Sequence, residues 1–120
     1  MHEANIIHRD IKLENILIDV NKDGSVQLYL ADFGFSTYLA EGNKLTKGMG
    51  SKYYIAPEVY GRLPYDKKVD VWSASVIVYV IICGHLPYPG ENFTEIYKNI
   101  KTTDLDKRIN MMNLGLSQGA

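Results

Sequence analysis

A single cysteine, Cys83, stands in a chain of 120 residues, which excludes an internal disulfide framework and a cysteine-rich metal site. Its place at the end of the apolar run Val76 to Cys83 predicts a buried free thiol. An excess of one charge is missing too: 13 basic and 14 acidic residues leave a net charge of -1. With no block of like charge, the chain has no general attraction for nucleic acid or for an anionic membrane. The longest apolar stretch, Val71 to Cys83, includes two serines and falls short of the ~20 residues needed to cross a bilayer. Glu3, Arg9, Asp10, Lys12, Glu14 and Asp19 break up the first twenty positions, leaving no apolar core of a secretory signal. Repeats and low-complexity tracts are lacking as well. The expectation is an intracellular, cytoplasmic parent protein.

What is present is a composition meant for packing, since 46% of residues are hydrophobic and 22% charged, outside the range of disordered chains. Hydrophobic periodicity divides the sequence into three regions. In the first, Ile6-Ile7, Ile16-Leu17-Ile18 and the alternating Val26, Leu28, Leu30 read as short strands, the last two joined in a hairpin through Asn21-Lys22-Asp23-Gly24. The second, Gly34 to Tyr65, has little periodicity and reads as a long functional loop, with Pro57 suited to a first helical turn. The third opens at Tyr65-Asp66-Lys67-Lys68 and is apolar on all sides from Val69 to Cys83, predicting a fully buried helix that stops at Gly84. Phe93, Ile96, Tyr97 and Ile100 then predict a short amphipathic helix capped near Asn92 or Thr94.

The run His8-Arg9-Asp10-Ile11-Lys12-Leu13-Glu14-Asn15 places an acid, an amine and an amide just before a strand. An aspartate can accept a hydroxyl proton, a lysine two positions on can neutralise phosphoryl oxygens, and an asparagine oxygen is a hard ligand suited to Mg²⁺. Taken singly, these residues are ordinary solvated surface. Asp32-Phe33-Gly34 follows the third strand, where the hairpin can return a second carboxylate to Asp10. By itself that tripeptide is a common strand-end turn with its phenylalanine in the core. Ala56-Pro57-Glu58 comes third, in the same order of motifs.

Three motifs in register resemble the catalytic-loop, Asp-Phe-Gly and Ala-Pro-Glu signatures of eukaryotic-type serine/threonine protein kinases. The resemblance implies an α+β, protein-kinase-like fold, partial and mainly the helical C-lobe with short catalytic-loop strands. It covers residues 1–100 as a partial kinase domain and leaves 101–120 as a divergent tail. It implies that Asp10 and Lys12 are catalytic, that Asn15 and Asp32 hold Mg²⁺, and that ATP is the cosubstrate. His8, Phe33 and Gly34 would be structural, with His8 and Phe33 packing the loop against the Asp-Phe-Gly turn. Asp70 would accept hydrogen bonds from the catalytic-loop backbone, and Trp72 and Tyr79 would lie in the core.

The resemblance implies serine/threonine over tyrosine specificity, because serine/threonine kinases carry a lysine at the position of Lys12. It also implies that the Ser51 hydroxyl would hydrogen-bond Asp10 and Lys12. The segments around Gly50 to Val59, Tyr65 to Ser73 and Cys83 to Tyr88 look most like calcium/calmodulin-dependent and calcium-dependent protein kinases, which implies calcium/calmodulin-linked regulation through regions outside these residues. Arg9 is the residue that pairs with activation-loop phosphate in related kinases, here with Thr46 as the phosphosite. Glu14 occupies the position that meets a substrate arginine, but Val80 stands where strongly basophilic relatives carry a second carboxylate, and Ser75 replaces a usual glycine.

No Gly-rich loop and no Val-Ala-Ile-Lys-like lysine precede His8 in these 120 residues. The arginine that pairs with the Ala-Pro-Glu glutamate is not apparent after Ile100, so Glu58 is expected to be unpaired. The buried helix lacks enough neighbours, and apolar surface should be exposed. The resulting expectation is a kinase fragment acting on protein or peptide Ser/Thr hydroxyls in its full-length parent and without turnover alone. Its alternative is a non-catalytic half-domain serving as a decoy or interaction module.

Overall fold

The computed structural model describes residues 1–104. Most of the expected 101–120 tail, including Met111-Met112 and Gly115 to Ala120, lies outside the described residues. Four strands, β1 (Ile6–Ile7), β2 (Ile16–Val20), β3 (Val26–Leu30) and β4 (Thr37–Tyr38), precede three helices, α1 (Pro57–Tyr60), α2 (Lys68–Cys83) and α3 (Phe93–Thr102). The arrangement is the partial α+β kinase-like fold.

The hairpin forms where turn chemistry predicts it. Gly24 adopts φ 85°, a left-handed conformation that costs glycine little. Asn21 N–H donates to the Ser25 carbonyl at 2.8 Å, and the Ser25 hydroxyl and amide hold the Asp23 carboxyl below its ordinary range. The β2–β3 register pairs Ile16 with Leu30 and Val20 with Val26. One step beyond the strand ends, Ala31 N–H donates to the Asn15 carbonyl at 2.8 Å. The hairpin therefore brings the end of the first motif beside the start of the second.

The second region is less irregular than its sequence predicts. β4 pairs antiparallel with β1, Ile7 opposite Thr37, and Leu45 bridges Tyr65. Neither two-residue strand is long enough to show a period, so this pairing was not legible locally. It returns the chain after Asp-Phe-Gly to the residue just before His8.

Helix α2 runs where its apolar pattern predicts and stops at Gly84, which takes φ 77° in a left-handed C-terminal cap. The expectation of burial on every face is corrected. Val69, Asp70, Ser73, Val76, Ile77 and Tyr79 are buried, whereas Val71, Val78, Ile81 and Ile82 are exposed, Ile82 by 73%. An all-apolar helix needs neighbours all around it, and the described residues supply them on one side. That side joins two cores, Ile7/Ala56/Tyr65/Val69 and Ile11/Tyr54/Val76/Ile77, where burying each aliphatic side chain contributes about 1.5–3 kcal/mol. Trp72 is half-buried and packs against both. The hairpin exposes Leu17, Ile18, Val20, Val26 and Leu28, so the apolar surface expected of the chain is present.

Helix α3 is capped by Asn92, whose side chain accepts from Glu95 N–H at 2.9 Å, while Glu95 reciprocally accepts from Glu91 N–H. This resolves the alternative at Thr94. Ile96 is fully buried, but Phe93 remains 54% exposed. Tyr97 stacks on Tyr60 at 5.6 Å and ties α3 to α1.

Candidate functional site

The His8-Arg9-Asp10 loop is suspended from α2 by one side chain. Asp70, 2% exposed, accepts His8 N–H through Oδ2 at 2.9 Å and Arg9 N–H through Oδ1 at 2.9 Å. His2 Nε2 lies 2.7 Å from the same Oδ2, a contact that nothing in the sequence signalled. Two adjacent backbone donors can share one carboxylate because Arg9 turns the chain with φ 70°. That left-handed conformation costs an L-residue about 1–2 kcal/mol, and the charge-assisted bonds to Asp70 offset it.

His8 is fully buried, and its tautomer follows from its partners. Asp10 N–H donates to His8 Nδ1 at 3.1 Å, so the ring proton sits on Nε2 and donates to the Ala31 carbonyl at 2.9 Å. The ring meets Phe33 edge-on at 4.9 Å. Phe33 is 47% exposed, a brace against His8 rather than a core residue. One imidazole thus connects the backbone of Asp10 to the residue preceding Asp32.

Asp10, 8% exposed, directs its carboxylate to Ser51 and Lys12. Ser51 Oγ donates to Asp10 Oδ1 at 2.7 Å and accepts from Lys12 Nζ at 2.9 Å, while Lys12 Nζ is 3.8 Å from Asp10 Oδ2. The serine hydroxyl uses its proton on one partner and a lone pair on the other. No hydrogen-bond donor among the described residues occupies Asp10 Oδ2. The segment carrying Ser51 approaches the loop closely at Gly50, where φ is 125° and an added Cβ would lie 3.0 Å from the Arg9 carbonyl.

Asn15 is buried and donates from Nδ2 to the Asp10 carbonyl at 2.8 Å. This fixes the amide orientation and leaves Oδ1 as an unused acceptor. Asp32 is exposed with φ 54°; its Oδ1 accepts from Gly34 N–H at 3.2 Å, so Gly34 helps shape the turn. The two side chains fit Mg²⁺, which keeps waters and takes one or two protein oxygens together with substrate phosphates. Among the described residues there is no self-sufficient cluster of three His, Cys, Asp or Glu side chains.

The remaining expected residues are more scattered. Glu14 is exposed beside Tyr54, whose hydroxyl is pushed up first by burial and then by the Glu14 charge. Thr46 is exposed, and Arg9 reaches the Phe35 carbonyl and the Tyr65 hydroxyl instead of it. Glu58 is half-buried in α1, and no basic side chain among the described residues pairs with it. Tyr60 donates to the Lys52 carbonyl, and burial, followed by Tyr53, pushes its hydroxyl up to about 12. It remains a hydrogen-bond donor at neutral pH, bracing the segment that follows Ser51.

A family model, the protein kinase domain, matches residues 1–116. Calcium-dependent protein kinase 5 of Plasmodium berghei is 44% identical over 101 residues, covering 83% of this chain and 17% of that protein. Myosin light chain kinase A of Dictyostelium discoideum is 39% identical over 100 residues, 83% of this chain and 34% of the relative. Serine/threonine-protein kinase PEPKR2 of Arabidopsis thaliana is 45% identical over 105 residues, 88% and 21% respectively. The chain therefore spans between about a sixth and a third of the length of these curated relatives.

Proposed function

The chain belongs to the protein kinase domain family, and from that premise we propose that it is the hydroxyl-activating part of a serine/threonine protein kinase. The observation that carries this reading is the Asp10–Ser51–Lys12 arrangement, with Ser51 Oγ 2.7 Å from Asp10 Oδ1 and 2.9 Å from Lys12 Nζ. Ser51 and Lys12 hold the carboxylate while Oδ2 stays open to a substrate hydroxyl. Asp10 orients that hydroxyl and takes its proton; Lys12 faces the negative charge that develops on the phosphoryl oxygens. Asn15 Oδ1 and Asp32 would hold Mg²⁺. ATP with Mg²⁺ supplies the transferable phosphoryl group and neutralises part of its charge.

Protein or peptide Ser/Thr hydroxyls are the substrates in this reading. Glu14, exposed beside Tyr54, adds a preference for a basic residue near the acceptor. Thr46 is the proposed phosphosite of the long segment, and the likeness to a calcium-dependent protein kinase favours a calcium-linked input from outside these residues. The setting is intracellular, where ATP is available. The 120 residues alone are proposed to have negligible turnover, because phosphoryl transfer needs groups that cover the nucleotide and no Gly-rich loop precedes His8 in them. A second reading, an interaction module that competes for the parent's partners, draws on the exposed apolar hairpin and the outer face of α2.

A peptide panel tests the proposal. The chain joined to the nucleotide-binding half of the Dictyostelium relative is given Mg-ATP and matched serine, threonine and tyrosine peptides, each with and without an upstream arginine. The expected result is transfer to serine and threonine, improved by arginine, with background rates for the unfused chain. Preferential transfer to tyrosine sinks the specificity. No transfer by the fusion, together with inhibition of an intact kinase by the chain added in trans, supports the interaction module instead.

A further inference from the structure

The guanidinium of Arg9 finds its partners within the chain. Its Nε–H donates to the Phe35 carbonyl at 2.7 Å, and its Nη1 donates to the Tyr65 hydroxyl at 3.3 Å. The Tyr65 hydroxyl itself donates to the carbonyl of Lys47. Tyr65 also exchanges backbone hydrogen bonds with Leu45, both at 2.8 Å. Next to it, Asp66 Oδ2 accepts from Lys44 Nζ at 2.6 Å. The Tyr65 ring is 3% exposed and packs with Ile7, Ala56 and Val69.

Two neighbours, Tyr65 and Asp66, therefore grip Lys44, Leu45 and Lys47 on both sides of the exposed Thr46. Among the described residues, the Tyr65 hydroxyl links that stretch by hydrogen bonds to the loop that holds Asp10. Its position in the chain of bonds strengthens it: accepting from a cation polarises the O–H toward the Lys47 carbonyl. The buried ring fixes where the oxygen sits, so little side-chain freedom is lost when the bonds form. An arginine normally needs an anion to gather a distant segment; here a phenol oxygen and two carbonyls suffice.

We propose that Tyr65 is a positioning residue that clasps the 44–47 stretch to Arg9 through protein groups alone, so that order in this segment does not require modification of Thr46. This deepens the kinase reading and rests on it for its functional meaning, but the clasp itself is measurable without turnover.

The test is amide and side-chain hydrogen exchange by NMR on the unmodified 120-residue chain, comparing wild type, Tyr65→Phe and Thr46→Ala. Phenylalanine retains the buried ring and the Leu45 pairing and deletes only the oxygen. Loss of one charge-assisted and one neutral hydrogen bond is expected to speed exchange at Leu45 and at the Arg9 Nε–H by roughly 10- to 100-fold. Amides of α2 and α3 should keep their wild-type rates, and Thr46→Ala should match wild type throughout. Wild-type protection at Leu45 and Arg9 in Tyr65→Phe overturns the proposal. So does acceleration spread evenly over the molecule, which assigns the hydroxyl to general stability, and so does a wild-type chain whose Leu45 and Tyr65 amides exchange like free peptide. Failure of the kinase reading appears separately, as absent phosphotransfer with this exchange pattern intact.

Discussion

Replacing Asp70 by asparagine removes one acceptor oxygen from a site where both are used. Oδ1 takes Arg9 N–H and Oδ2 takes His8 N–H and His2 Nε2. Either orientation of the new amide sets an NH₂ group against a backbone N–H, leaving that buried donor unsatisfied at a cost of about 1–3 kcal/mol. The surviving bonds lose their charge assistance, at about 1 kcal/mol more. The total, about 2–4 kcal/mol, is a large part of the ~5–15 kcal/mol that holds a domain folded. It falls on the carboxylate that takes the Arg9 N–H where φ is 70°. Urea unfolding at low protein concentration measures the loss, and exchange at the His8 and Arg9 amides locates it. Asp70→Ala, which orphans both donors, should cost more than Asp70→Asn. A loss below about 1 kcal/mol for Asp70→Asn, with both amides still protected, refutes the reasoning that this carboxylate suspends the loop.

Ser51→Ala should lower phosphotransfer by the fused enzyme about tenfold, as expected for one positioning hydrogen bond and its charged partner, whereas Ser51→Thr, which keeps the hydroxyl, should stay within a factor of about three; initial rates at saturating peptide check both. Gly50→Ala forces an L-residue into φ 125° and sets a Cβ 3.0 Å from the Arg9 carbonyl, so thermal unfolding should show a loss of about 1–3 kcal/mol. Lys44, and then Lys68 N–H, hold the Asp66 carboxyl below its ordinary value of 3.8. A depressed carboxylate stabilises the fold above its unfolded pKa, and that contribution is lost as pH falls through the folded value, below 3.8. Because the pair is partly exposed, the effect should stay under ~1 kcal/mol and shrink in salt; exchange at Leu45 between pH 5 and pH 3, with and without salt, reads it.

The first and third regions were legible because their signals are local. Gly24 and Gly84 stand where the chain needs positive φ, Asn92 stands three residues before the amide it caps, and β2 and β3 flank a recognisable turn. The catalytic-loop and Asp-Phe-Gly residues were legible as motifs, and the hairpin register explains how they meet. What escaped are contacts between residues distant in sequence. The pairing of β1 with β4, the His2–Asp70 contact and the Tyr65 clasp involve no spacing or composition that a linear reading detects. Tyr65 reads as one more aromatic residue before a helix until the fold places Lys47 and Arg9 on its hydroxyl. The outer face of α2 was misread in the other direction: its residues are those of a buried helix, but burial depends on neighbours that the described residues do not provide.

Asp10, held by Ser51 and Lys12, is proposed as the group that orients and deprotonates the acceptor hydroxyl. Its most direct test is the rate of Mg-ATP-dependent phosphate transfer to a serine peptide by the fused chain, wild type against Asp10→Asn. General-base catalysis supplies about 10²–10⁴-fold, and a loss of that size with unchanged folding and unchanged nucleotide affinity is the predicted result. An Asp10→Asn enzyme within a factor of about three of wild type contradicts the account.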